Sequence, residues 1–198
     1  MEFIKKLYSS DNKFTLIKNV ALTVIVPLFL ILISCSVIKD SKKPTLEESS
    51  KVEIGHHELY NFLSEKGILP SNRVAADDVY SLASINWIRD TISYEYNKFL
   101  SLLGMARYET DSNDCDDFAR AFTLFCKKEF RNSLKEKTHS IAVGEFYYIQ
   151  KNGKAHAINF MIVLNEKREK ELLFYEPQMK QFIKLSDEEI QSCLFFGL

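Results

Sequence analysis

The chain has no basic excess: 26 lysines and arginines stand against 27 acidic residues, for a net charge of −1. That balance lacks the footprint of a nucleic-acid-binding protein, so no nucleic acid is expected among its partners. Internal repeats are absent, and so is any low-complexity tract beyond one short polar segment near the N-terminus. At 198 residues, with 46% hydrophobic and 27% charged residues, the composition is that of an ordinary globular protein with one main domain.

What is present begins at the N-terminus. Residues 20–33 form an uncharged apolar run, preceded by Lys5, Lys6, Lys13 and Lys18. A positive segment followed by an apolar one reads as a signal. Leu32-Ile33-Ser34-Cys35 follows directly and resembles a bacterial lipoprotein box, whose cysteine is lipidated. The other reading is a signal anchor that stays uncut; residues 1–35 hold either. Both put the remainder on the bacterial envelope, membrane-anchored and facing away from the cytoplasm, because the lysines stay inside. Residues 36–55 are too polar to bury a core and are expected to be a flexible tether. Residues 56–198 form the domain. With Cys35 used for lipid, Cys115, Cys126 and Cys193 remain. Such an odd count leaves at least one free thiol, and Cys126 and Cys193 either pair or are buried small apolar residues.

Within the domain, residues 56–66 and 77–103 read as helices, the second with apolar residues at three- and four-residue steps. Gly67 and Pro70 separate them, and a break falls near Gly104. Asn113 and Asp114 suit the N-cap of a further helix, whose stripe runs through Phe118, Phe122, Phe125, Cys126 and Phe130 and includes Cys115 at its start. Residues 140–150 alternate as a strand, Asn152-Gly153 signals a hairpin, and Ala155–Leu164, 172–176 and 181–185 read as further strands. Ser186 and Glu189 form a capping box for a terminal helix. Helices first and then an antiparallel meander predict an α+β fold.

Chemistry concentrates in three places. Cys115 stands at a helix N-terminus, where the dipole favours a thiolate, but Asp111, Asp114, Asp116 and Asp117 oppose that charge. His156 opens the second strand on the face shared with Ile158, Phe160 and Ile162. A turn centred near Glu166 places Glu176 directly across from His156, where a carboxylate can orient an imidazole. Asn159, three residues on, faces the other side.

Asp114-Cys115-Asp116-Asp117-Phe118-Ala119, with His156-Ala157 and Glu176-Pro177-Gln178, resembles the motifs of the bacterial transglutaminase-like cysteine peptidase superfamily over roughly residues 85–185. The resemblance implies a papain-like α+β fold with the nucleophile-bearing helix packed on the meander. It implies a catalytic triad of Cys115, His156 and Glu176, a cysteine hydrolase (peptidase or amidase) working through a thioester, and a protein or peptidoglycan-peptide substrate. The third member is more often Asp in that family. No glutamine precedes Cys115 to form an oxyanion hole; Asn113, Asn97 or the backbone N–H of Cys115 would substitute. No cofactor is required, although some relatives hold calcium through acids matching Asp114, Asp116 and Asp117; helix capping explains the same acids without metal. Two rivals stand beside the hydrolase. One is a peptidoglycan endopeptidase of the NlpC type, from which Asp116-Asp117 departs. The other is a non-catalytic binding lipoprotein with a relic site.

Overall fold

The computed structural model describes residues 45–198 apart from 69–71, 106, 110–112 and 137–138. Residues from Lys43 to Leu198 form one compact unit. The apolar run, Cys35, Pro70 and Asp111 lie outside the described residues, and so do the expectations placed on them. Among the described residues no helix is long and apolar enough to cross a membrane.

In chain order the elements are α1 (Leu46–Ser49), β1 (Glu53–Gly55), α2 (His56–Glu65), β2 (Asn72–Val74), β3 (Val79–Ser81) and β4 (Ala83–Ser84). Then come α3 (Ile85–Leu102), α4 (Cys115–Ser133), β5 (Ser140–Ile141), β6 (Val143–Ile149) and β7 (Ala155–Leu164). β8 (Lys170–Glu176), β9 (Gln181–Ile183), α5 (Asp187–Gln191) and β10 (Phe195–Gly197) complete the chain. The large sheet has the order β2-β10-β6-β7-β8-β9, with β4 joined to β7, and a smaller sheet runs β1-β3-β5. The fold is mixed α+β.

Alternation along β7 builds two cores, one on each face of the sheet. Met161 and Val163 pack with Ile88 and Tyr96 of α3 and with Phe122, Phe125 and Phe130 of α4. Ile158, Phe160 and Ile162 pack on the opposite face with Leu59 and Leu63 of α2 and with Phe196. Cys126 belongs to the first core and Cys193 borders the second. The sheet therefore separates them, and both are free thiols.

Four expectations need correction. Residues 79–81 and 83–84 are strand, not helix, because Tyr80 and Ser81 pair with Ile54 and Glu53, and Ala83 and Ser84 pair with Val163 and Leu164. The Ser84 side chain then accepts from the Trp87 N–H at 3.2 Å and starts α3 there. Residues 45–55 fold instead of forming tether: Thr45 makes a capping box with Glu48, and Ile54 is fully buried. The strand expected over 140–150 breaks at Ala142, whose two neighbouring segments join different sheets. The strand expected over 181–185 pairs only as far as Ile183.

Candidate functional site

α4 forms where its sequence directs it, with Phe118, Phe122, Phe125, Cys126 and Phe130 buried on one stripe. Phe122 stacks on Tyr175 of β8 at 4.3 Å between ring centres, and Tyr96 of α3 meets Phe122 edge-on at 5.2 Å. Asn159, fully buried, ties α4 to the sheet. Its Nδ2 donates to the Ala119 carbonyl at 2.8 Å, to Thr123 Oγ1 at 3.0 Å and to the Gly144 carbonyl at 3.1 Å. These contacts fix the position of the helix start, and with it Cys115.

Asp114 occupies the N-cap but makes no capping bond with its side chain. Its carboxyl turns toward Asp116 instead. That hydrogen bond, followed by burial, raises the Asp116 pKa despite the opposing charge of Arg120. Asp114, Asp116 and Asp117 have ligand oxygens within 4.8 Å of one another. Three hard oxygen donors fit a cation such as calcium by type. However, the Arg120 guanidinium stands 2.9 Å from Asp116 and 3.6 Å from Asp117, so the chain supplies its own countercharge. Arg120 escaped the sequence reading, although the four-residue step from Asp116 was a usable signal.

Cys115 is partly exposed. Burial pushes its thiol above the ordinary value of 9.0, and the charges of Asp114 and Asp116 push the same way, against the opposing influence of the Ala157 backbone N–H. Among the described residues, no hydrogen bond joins the thiol to the imidazole of His156. The dipole at the helix start is outweighed by desolvation and acids.

His156 and Glu176 do meet: Nε2 lies 2.6 Å from Glu176 Oε2. Glu176 Oε1 accepts the Gln178 backbone N–H at 3.1 Å. Both side chains are nearly buried, at 15% and 6% exposure, and the His156 ring contacts Tyr148 edge-on at 5.9 Å. The pairing is not the direct one expected. The ladder pairs Asn159 with Tyr175, which offsets His156 and Glu176 diagonally by two positions on one face. The turn is centred on Lys167, with Asn165 Oδ1 accepting from the Lys167 and Glu169 N–H groups at 2.9 and 3.0 Å. Strand alternation puts His156 on the face with Ile158 and Phe160, whereas α4 packs on the other. Of the proposed oxyanion donors, Asn97 is engaged through Oδ1 by Lys180, and Asn113 is held by paired backbone bonds to Glu109.

Alkylation follows from this geometry. Iodoacetamide should label Cys115 faster than Cys193, whose pKa is pushed up to about 12 by burial, and much faster than the fully buried Cys126. Because the Cys115 pKa is raised, its rate should be slow at neutral pH and still be climbing above pH 9.0. A rate that levels off below neutrality would mean a stabilised thiolate instead.

No family model matches the chain, and no curated protein does. Solved structures do. One is the PSL1a-E64 complex, at 21% identity and a TM-score of 0.57, matching 75% of this chain and 51% of that one. Another is Polyporus squamosus lectin bound to the human-type influenza-binding epitope Neu5Aca2-6Galb1-4GlcNAc, at 20% identity and a TM-score of 0.57, matching 75% and 50%. The chain thus spans about half the length of the solved chains it matches. These similarities concern the fold. They correct the family expectation: one of these neighbours is described as a lectin and neither as a transglutaminase-like peptidase, so the cysteine hydrolase, peptidase and transglutaminase-like readings are set aside with it.

Proposed function

We propose that this domain is a non-catalytic binding module, displayed on the bacterial envelope by its N-terminal segment, whose ligand is a glycan or a glycan-linked peptide of the peptidoglycan type. The observation that carries the reading is the division of the site. His156 is held by Glu176, while the Cys115 thiol has a raised pKa and no hydrogen bond to the ring. Such a site is pre-organised for recognition and unactivated for attack. A helix opening on a cysteine against an antiparallel meander supports reading the layout as a papain-like frame used for binding. Asp114 Oδ1 and Gln178 Nε2 are buried without a partner among the described residues. A ligand hydroxyl or amide reaching them would relieve that cost. The lectin among the solved neighbours, with its bound glycan, supports a carbohydrate ligand.

Titration calorimetry of the full chain with soluble peptidoglycan fragments, followed by mass analysis of the ligand, tests this. Saturable binding with an unchanged ligand mass is expected. Cys115→Ser should leave the affinity within about twofold, a few tenths of a kcal/mol. Glu176→Gln should weaken it about tenfold by releasing the imidazole. Cleaved ligand, with cleavage lost in Cys115→Ser, would overturn the proposal, as would absence of binding. Calcium is not required in this reading, because Arg120 already pairs with Asp116 and Asp117. A chelator should therefore leave the thermal midpoint unchanged; a drop restored by added calcium would assign the three aspartates to a metal.

A further inference from the structure

β9 stops pairing with β8 at the Ile183–Phe174 step, and the chain then leaves toward α5. Residues 170–173 of β8 consequently have no ladder partner on that side among the described residues. A groove of about 600 Å³ opens along this edge, with Leu172 and Phe182 among its apolar lining. Its charged rim is one-sided: Lys66, Arg89, Lys170 and Lys184 against the single acid Glu171. Glu58 engages Lys170, and Lys66 and Lys184 keep the rim basic in a chain whose net charge is −1. An unpaired strand edge is a template for main-chain hydrogen bonds, and the charge selects what pairs with it. A second copy of the same edge would bring one basic rim against another, which disfavours self-pairing.

We propose that the free edge of β8 takes an extended acidic peptide segment as an added strand, with Lys66 and Lys184 reading its carboxylates. This groove is separate from the Cys115 site and does not depend on the function proposed for it. The test is fluorescence anisotropy with the full chain and a labelled, acetylated peptide of alternating Glu and Val. Three controls accompany it: the same peptide with Lys for Glu, the Glu peptide N-methylated at alternate residues, and the Lys66→Glu, Lys184→Glu double variant. The Glu peptide should bind, and should bind more weakly as salt is raised. The Lys and N-methylated peptides should not bind. The double variant should raise the dissociation constant about tenfold or more through charge reversal. Equal binding of Glu and Lys peptides, or no binding of either, would overturn the proposal. Indifference to N-methylation would reduce the groove to a site for loose anions. Self-association abolished by the same double variant would make a second copy the occupant.

Discussion

Gly144→Ala should destabilise the domain more than the same change at any of the other glycines. A β-carbon at Gly144 would lie 1.9 Å from the Gly197 carbonyl oxygen and 2.8 Å from its carbonyl carbon. Both are backbone atoms, and β10 is held against β6 by the pairs Phe195–Tyr147, Phe196–Phe146 and Gly197–Glu145. No rotamer change relieves such a clash, so β10 has to move, and Phe196 leaves its fully packed place in the second core with it. Overpacking of this kind costs about 3 kcal/mol or more, which in a domain of this size lowers the thermal midpoint by roughly 6–12 °C. Gly55→Ala is the control, because its nearest neighbour would lie at 4.0 Å; it should change stability by less than about 1 kcal/mol. A Gly144→Ala variant as stable as the parent would mean that β10 does not pack as described.

Asn159→Ala should come second. It removes the donor shared by the Ala119 carbonyl, Thr123 Oγ1 and the Gly144 carbonyl, and it leaves a cavity in a fully buried position. Lost hydrogen bonds and the void together are expected to cost about 2–4 kcal/mol. Asn159→Asp should cost more at neutral pH, because a carboxylate would face two carbonyl oxygens without a counterion. Both changes act where α4 begins, so both should speed alkylation of Cys115 while leaving Cys126, farther along the helix, protected. Stability loss measured by urea unfolding without faster Cys115 labelling would mean that Asn159 does not position the helix start.

Much of this molecule was legible in its sequence, for local reasons. The Phe118–Phe122–Phe125–Phe130 stripe is a one-face pattern that only a packed helix satisfies, and Ala155–Leu164 is apolar enough to require burial on both sides of a central strand. The capping box of Ser186 and Glu189 formed as its residue types dictate. What escaped depends on partners distant in sequence. Val79 and Leu82 fit a helical stripe, and partners distant in sequence make strands here instead: β1, lying in what read as tether, and β5 for residues 79–81, and β7 for residues 83–84. β10 is three residues long, too short for a periodic signal, and exists because β2 and β6 flank it.

The site was legible in its residue types and less so in its chemistry. His156 and Glu176 meet as the strand order suggested, although diagonally, because the centre of a charged turn cannot be placed to the residue from composition. The helix dipole at Cys115 was readable, and so were the opposing aspartates. Desolvation by the folded chain was not, and it leads the causes that raise the thiol pKa. The clamp formed by Asn159 depends on Ala119, Thr123 and Gly144, 40, 36 and 15 residues away, which no local pattern reveals.

The most direct test of an unactivated site is the mass of the native full chain after incubation with E64, the molecule in complex with one of the solved neighbours. An unactivated Cys115 predicts no adduct at neutral pH, in the parent and in His156→Ala alike. A stoichiometric adduct on Cys115 that is lost in His156→Ala would contradict the account, because it would require the imidazole to activate the thiol.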